Sequence, residues 1–166
     1  IVADGQLLEG VGGTGAEVGH TVLVLDGEDC TCGRKGCWEA YASATALIRQ
    51  GKRAAAAQPE SLLAGYGEGL TGKDVFDAAA AGDAAAQAVV DRYCVYVAAG
   101  ITDLVNILGP EKVLIGGGIS RQPLLLRMLN DIYEQEIIIG HPYSEEQARS
   151  LPRRLPTALE YAALHR

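Results

Sequence analysis

A group of four potential metal ligands constrains this chain more than any other feature of its sequence. One histidine and three cysteines follow the spacing His-x9-Cys-x-Cys-x4-Cys. One imidazole and three thiolates complete a tetrahedral zinc site with no open position, which is typical of a structural zinc ion. Gly33 and Gly36 fit a tight knuckle around the metal, because such turns often need a positive φ. The predicted ligands are His20, Cys30, Cys32 and Cys37.

A disulfide cluster with an incidental histidine is the alternative to a zinc site. It is disfavoured because the close group contains three thiols, which leaves one of them unpaired, and because a bridge between Cys30 and Cys32 would be strained. The remaining cysteine, Cys94, lies on the apolar side of a predicted helix and is expected to be a small buried side chain. The sequence therefore favours zinc.

The length, composition and charge of the chain narrow its class. Its 166 residues, 48% of them hydrophobic, are enough for one α/β domain with a buried core. A formal net charge of −7 argues against nucleic-acid binding by this segment, because phosphate contacts need a basic surface. No apolar run is long enough to span a membrane, and no segment reads as a secretory signal. With its reduced thiols, the chain is expected to be cytoplasmic.

Apolar periodicity and turn residues predict alternating helices and strands. Thr71 and Asp74 resemble a capping box, Asp83 is a candidate N-cap, and Gly109 with Pro110 should end a long helix. The predicted elements are a strand and hairpin over 1–10, a strand over 21–25, the knuckle over 26–37, a helix from Trp38 that frays around Gly51, a surface connection over 58–70, helices over 71–81 and 84–108, a short buried strand over 112–115, a helix over 123–135 and a short helical tail.

Two stretches around the predicted metal ligands, GAEVGH and CTCGRKGCWEAYASATAL, closely resemble the signature of the ROK family of bacterial sugar kinases and sugar-sensing repressors. A later stretch, LVNILGPEKVLIGGGIS, is similar to the same family. The resemblance implies the actin-like, ribonuclease-H-like fold of the two-lobed (ASKHA) sugar kinases. Residues 1–166 would form the C-terminal lobe, with an inserted zinc knuckle and the N-terminal lobe outside this chain. The start at Ile1 rather than Met agrees with a fragment, and residues 137–166 depart from the family pattern.

The resemblance assigns contacts with sugar hydroxyls to Glu17, His20 and Glu39, with His20 serving both the metal and the sugar. The chemistry agrees, because carboxylates accept short, charge-assisted hydrogen bonds from hydroxyls. Glu17 comes three residues before His20, and Glu39 comes two residues after Cys37. A bound zinc ion would therefore hold both carboxylates on one rigid frame. The alternative for Glu39 is a carboxylate favoured by the positive end of a helix.

Three glycines, Gly116, Gly117 and Gly118, follow a predicted strand and precede a helix, where backbone amides can approach a nucleotide. In the family the equivalent glycines lie beside adenosine, which makes them candidate nucleotide contacts. The alternative is a tight turn between strand and helix.

The resemblance implies that the chain is part of an ATP-dependent glucokinase that phosphorylates the 6-hydroxyl of glucose, with ATP and Mg²⁺ bound by the complete enzyme. The catalytic aspartate of the family belongs to the N-terminal lobe, so no catalytic residue is assigned and the chain should be inactive alone. The full-length protein is expected to be a homo-oligomer. The alternatives are the effector domain of a ROK repressor, a kinase for N-acetylmannosamine or N-acetylglucosamine, and a decayed remnant that keeps the zinc knuckle.

Overall fold

The computed structural model describes residues 1–136 and 158–161, and helices dominate this part of the chain. The α-helices are α1 (Glu39–Ala42), α2 (Ala44–Ala57), α3 (Gly72–Ala80), α4 (Ala84–Leu108) and α5 (Pro123–Glu136). The strands are β1 (Val2–Ala3), β2 (Gln6–Leu7), β3 (Lys112–Ile115) and β4 (Ala158–Tyr161). Short 3-10 helices cover Val11–Gly13, Val18–His20, Leu62–Gly69 and Gly118–Arg121.

Helix α4 lies at the centre of the core and packs against α2, α3 and α5. Cys94 on this helix is fully buried, which confirms its predicted place in the core. Two hydrogen bonds fasten the α1 region to α4. The Tyr93 hydroxyl donates to the Ala42 carbonyl over 2.8 Å, and the Trp38 indole donates to the Tyr96 carbonyl over 2.7 Å. Helix α4 is therefore the platform that holds the segment following the knuckle.

The predicted starts of α3 and α4 are confirmed. Thr71 and Asp74 form a reciprocal capping box at α3. Asp83 caps α4 by accepting the Ala86 amide over 2.8 Å. The same carboxylate also accepts hydrogen bonds from the Leu62 amide over 2.8 Å and from the Ser61 hydroxyl over 2.9 Å. Asp83 thus fixes both a helix end and the preceding connection.

We expect Asp83→Ala to lower the free energy of unfolding by about 2 kcal/mol at neutral pH, because a lost N-cap typically costs up to that amount. The hydrogen bond from the Ala86 amide, followed by those from Leu62 and Ser61, holds the pKa of Asp83 below its usual value against the opposing effect of burial. The carboxylate therefore stabilises the fold fully above its unfolded-state pKa of about 3.9, and this contribution is lost as the pH falls through the lowered folded-state value.

Urea unfolding at neutral and acidic pH checks this expectation. The difference between the native chain and Asp83→Ala should be largest at neutral pH and should narrow in acid. Asp91→Ala is the matched control, because Asp91 is exposed on the same helix. A difference that stays constant down to acidic pH would contradict the role given to the ionised Asp83.

The predicted strand over residues 21–25 is wrong. Within this stretch Val22 makes only an isolated bridge with Cys37. The Leu23 and Val24 amides both donate to the Gly36 carbonyl, over 2.8 and 3.1 Å. The segment wraps around the knuckle because these amides bond to the knuckle's own backbone rather than to a neighbouring strand.

The helix predicted from Trp38 is two helices, and it does not fray at Gly51. Ser43 is extended between α1 and α2, and its side chain accepts the Ala46 amide as the N-cap of α2. Gly51 is buried inside α2, where a Cβ atom would lie 2.8 Å from Val75 Cγ2 and 2.9 Å from Leu70 Cδ2. The glycine serves close packing against these side chains, and α2 continues to Ala57.

The connection predicted over residues 58–70 is more than a surface loop, because it contains a 3-10 helix with a fully buried Leu63. At the N-terminus, β1 and β2 form the expected antiparallel hairpin, which turns at Asp4 and Gly5 with positive φ at both residues. Strand β3 forms where predicted, but Leu114 is 58% exposed, so the strand is not a buried one.

The predicted helical tail is wrong where the structure describes it. Residues 158–161 form β4, which pairs in parallel with β3 in the register Lys112 with Ala158. The rest of the tail, at 137–157 and 162–166, lies outside the described residues. Among the described helices, none combines the length and apolar character that crossing a bilayer requires.

Candidate metal centre and sugar site

The knuckle is a tight hairpin that closes on itself through its backbone. Asp29 and Lys35 form an isolated antiparallel β-bridge, and the Cys30 amide donates to the Arg34 carbonyl over 2.9 Å. The turn needs glycine at Gly36, where φ is +76° and a Cβ atom would lie 1.7 Å from the Val24 carbonyl oxygen. Glycine is therefore required where the backbone at Gly36 passes against the backbone at Val24 and brings Cys37 towards the other thiols.

The structure brings the four predicted metal ligands together. Their ligand atoms all lie within 4.8 Å of one another. Cys30 Sγ is 3.5 Å from His20 Nδ1, and Cys32 Sγ is 3.6 Å from Cys37 Sγ. A zinc tetrahedron with Zn–S of about 2.3 Å and Zn–N of about 2.0 Å has edges of about 3.5–3.8 Å. The two shorter separations match such edges, and all three thiols are free of disulfides.

The thiols of the cluster differ in their electrostatic surroundings. Cys37 is fully buried, and burial raises the pKa of its thiol to about 11. Cys32 is exposed, and hydrogen bonds from the Arg34 backbone and then from its side chain lower the pKa of Cys32 to about 6. One thiolate is thus stabilised by the protein itself. The buried one requires a cation beside it, which is what a bound metal would supply.

The three predicted sugar contacts lie on the two segments that flank the cluster. Glu17 is exposed at the start of the 3-10 turn Val18–His20, and its carbonyl accepts the His20 amide over 3.0 Å. Glu39 opens α1, and a Cβ atom on Gly19 would lie 3.8 Å from its Oε2. The Thr31 hydroxyl donates to Glu39 Oε1 over 3.1 Å. The turn that carries Glu17 and His20 therefore lies against Glu39.

A cavity of 350 Å³, lined mostly by polar and charged residues, opens beside Glu39. Its walls combine hydroxyl groups with both signs of charge, a composition that suits a ligand carrying many hydroxyls. The lining residues are Asp29, Cys30, Thr31, Glu39, Ala40, Ser43, Thr45 and Arg49.

An ion pair that sequence patterns did not reveal fastens the knuckle to α2. Arg53 donates from its two terminal nitrogens to the two Glu28 oxygens, over 2.5 and 3.0 Å. This pairing lowers the pKa of Glu28. The Glu28 amide also donates to the Tyr41 hydroxyl over 2.7 Å. Because Glu28 and Arg53 are 25 residues apart, only the folded chain brings them together.

The predicted nucleotide glycines lie at the end of β3, where all three line an apolar cavity of 410 Å³. Gly117 and Gly118 also line a second cavity of 580 Å³, together with Lys73, Asp77, Arg121 and Gln122. Gly117 has a φ of +86°, and a Cβ atom on Gly118 would meet nothing within 4 Å. The glycines leave open space beside two cationic side chains.

The model of the ROK family matches residues 1–150, nearly the whole of the chain. The chain belongs to the ROK family. This result agrees with the fold, because solved ROK proteins resemble the structure over almost its entire length, and it confirms the family predicted from the knuckle motif.

Relatives of this ROK chain include both kinases and regulators. Glucokinase of Halalkalibacterium halodurans is 46% identical over 125 residues, which are 73% of this chain and 38% of that protein. A ROK glucokinase from Streptomyces griseus, solved with glucose and AMPPNP, superposes with a TM-score of 0.74 at 32% identity, covering 95% of this chain and 48% of that one. A ROK transcriptional regulator homologous to Escherichia coli Mlc also superposes with a TM-score of 0.74, at 30% identity. The match covers 97% of this chain and 38% of the regulator. The chain spans less than half the length of these relatives.

Proposed function

We propose that this chain is the zinc-bearing, sugar-binding C-terminal lobe of an ATP-dependent hexose kinase, and that the hexose is glucose. The observation that carries the proposal is the close grouping of His20 and three thiols on a knuckle whose preceding turn lies against Glu39. Similarity to glucokinases, including one solved with glucose and AMPPNP, supports the choice of reaction and sugar. The complete protein would transfer the γ-phosphoryl group of ATP to the 6-hydroxyl.

In this proposal the residues His20, Cys30, Cys32 and Cys37 hold a structural zinc ion. Four protein ligands leave no position for an activated water, so the ion supplies rigidity rather than reactivity. The chain's own residues bind the sugar. Glu17 and Glu39 accept hydrogen bonds from its hydroxyls, and the knuckle keeps the turn of His20 against Glu39.

The three glycines that follow β3 form part of the ATP-binding site in this proposal. Gly116, Gly117 and Gly118 let ATP approach the backbone at the end of β3. Arg121 places positive charge on the neighbouring cavity, where Lys73 is paired with Asp77. In this proposal the base for the sugar hydroxyl belongs to the N-terminal lobe that the resemblance implies, so phosphoryl transfer requires that lobe. Mg²⁺ would bind with ATP in the complete enzyme.

We expect Glu39→Gln to raise the KM for glucose of the complete protein by about 10-fold or more, because a hydrogen bond to a charged group contributes about 1.5–3 kcal/mol. Steady-state ADP production against glucose concentration gives the KM. Glu60→Gln is the control, since Glu60 is exposed and does not line the cavity beside Glu39. An unchanged KM in a zinc-loaded Glu39→Gln protein would remove Glu39 from the sugar site.

A sugar-sensing effector domain of a repressor is the second candidate, favoured by the equal structural similarity to a ROK transcriptional regulator. Sequencing upstream of Ile1, through about 150 codons for one lobe and on to the start codon, separates the candidates. The protein encoded by the complete reading frame is then assayed for ADP production with glucose, N-acetylmannosamine and N-acetylglucosamine. Glucose-dependent ADP production supports the glucokinase. A basic helix-turn-helix with sugar binding but no ADP production supports the repressor.

A further inference from the structure

Arg34 touches three of the four members of the Cys/His cluster. Its guanidinium Nη2 donates to the His20 carbonyl over 2.7 Å. Its backbone amide and its side chain both hydrogen-bond the Cys32 sulfur. Its carbonyl accepts the Cys30 amide over 2.9 Å. None of these contacts follows from the ligand spacing, because Arg34 is itself an exposed residue in the turn between ligands.

We propose that the Arg34 side chain is a positioning residue that joins the thiolate side of the metal site to the backbone of the sugar-binding histidine. The inference rests on the proposed zinc and sugar sites and extends them to a residue outside both sets. Arg34 acts through Cys32 and His20 and touches neither the ion nor the sugar in this arrangement.

The charge of the site explains why a guanidinium suits this position. Three thiolates, one neutral imidazole and one divalent ion carry a net charge of −1. The Arg34 guanidinium also interacts electrostatically with Cys37 and Cys30, so it offsets this charge. Hydrogen bonds from N–H groups draw electron density from the Cys32 sulfur, which makes a metal-bound thiolate at this position less reactive towards oxidants. Removing them would weaken the retention of the metal.

The geometry explains why sugar affinity would respond as well. The His20 carbonyl ends the turn that begins at Glu17, so the bond from Arg34 restrains the backbone of this turn. A planar guanidinium can serve a sulfur and a carbonyl at once through its fork of N–H groups, whereas an ammonium is a compact point charge. Lysine at this position should therefore restore the metal site only in part.

The test compares Arg34→Ala and Arg34→Lys with Lys35→Ala in the zinc-loaded 166-residue chain. Lys35 is the matched control, because this neighbouring cation of the knuckle pairs with exposed Asp29 over 3.2 Å. Zinc loss to excess chelator, followed with a colorimetric indicator, should be about 10-fold faster in Arg34→Ala, since loss of partners around metal ligands typically costs 10–100-fold in affinity. Arg34→Lys should lie between the native chain and Arg34→Ala.

A second readout separates this role from general destabilisation. In the cobalt-substituted chain, the sulfur-to-metal charge-transfer band should move to lower energy in Arg34→Ala, because a thiolate without its hydrogen bonds donates more readily. The band of Lys35→Ala should not move. A native charge-transfer band and native zinc loss in Arg34→Ala would overturn the inference while leaving the zinc site standing. Failure of the native chain to bind zinc or cobalt would overturn the inference together with the proposed metal site.

Discussion

Gly100→Ala should destabilise the chain strongly, although alanine normally favours a helix interior by about 1 kcal/mol over glycine. Gly100 is buried in α4, where a Cβ atom would lie 2.0 Å from Trp38 Cε2 and 2.4 Å from its indole nitrogen. The ring must move away, which breaks its hydrogen bond to the Tyr96 carbonyl. Overpacking of this kind costs about 1–3 kcal/mol, and the lost hydrogen bond adds about 1 kcal/mol.

The expected net loss of about 2 kcal/mol corresponds to a fall of about 4–8 °C in Tm for a chain of this size. Thermal unfolding followed by circular dichroism measures it. Gly65→Ala is the control, because a Cβ atom at Gly65 would meet nothing within 4 Å and its φ is not positive. A Gly100→Ala chain as stable as Gly65→Ala would contradict the close packing of Trp38 on α4.

Gly100→Ala should also weaken metal binding at the proposed site. Trp38 lies between Cys37, a predicted ligand, and Glu39, a predicted sugar contact. Displacing its ring shifts the backbone that carries both neighbours, so Gly100→Ala should also bind zinc more weakly than Gly65→Ala does. Helix α4 thereby contributes to the site through a residue that holds no ligand.

Features coded by neighbouring residues could be predicted from the sequence. The capping box of Thr71 and Asp74 and the N-cap at Asp83 depend on partners three residues away, so local pattern is sufficient. The grouping of His20 with the three thiols was also predictable, because short spacings leave the ligands few other arrangements.

Features decided by distant partners could not be predicted in this way. The β-branched stretch 21–25 has the composition of a strand, yet its amides bond to the Gly36 carbonyl. Gly51 resembles a helix breaker until Val75 and Leu70 are packed against it. The ion pair of Glu28 with Arg53 links segments 25 residues apart. In each case tertiary contacts override a local preference, and no period in the sequence records them.

Removal of the proposed zinc ion should lower the stability of this chain more than any substitution described above. A ligand that binds only the folded state stabilises it by about 4 kcal/mol when its free concentration is about 1,000 times its Kd. Without the ion, the buried Cys37 thiol is protonated because burial raises its pKa to about 11, and the hairpin that holds His20 against the cysteines loses its closure. Treatment with a chelator should therefore lower the Tm by about 8–16 °C.

Two cysteine variants show whether the fall in Tm caused by the chelator comes from the proposed metal site. Cys37→Ser removes a fully buried ligand, so this chain should start with a low Tm that the chelator no longer changes. Cys94→Ala is the matched control, because Cys94 is equally buried but lies in the core beside Met128. Cys94→Ala should lose some stability because it leaves a cavity in the core, and its Tm should still fall with the chelator as that of the native chain does. A chelator response that persists in Cys37→Ser would place the metal elsewhere.

Removal of the proposed zinc ion should also weaken glucose binding by the complete protein before it affects phosphoryl transfer, because in this proposal the ion holds the turn of Glu17 and His20 against Glu39. The KM for glucose should rise while kcat at saturating glucose changes less, the pattern of lost ground-state binding. Metal analysis must first prove that the sample is zinc-free. An unchanged KM in such a sample would mean that the knuckle supports the fold alone and that the sugar carboxylates keep their positions without it.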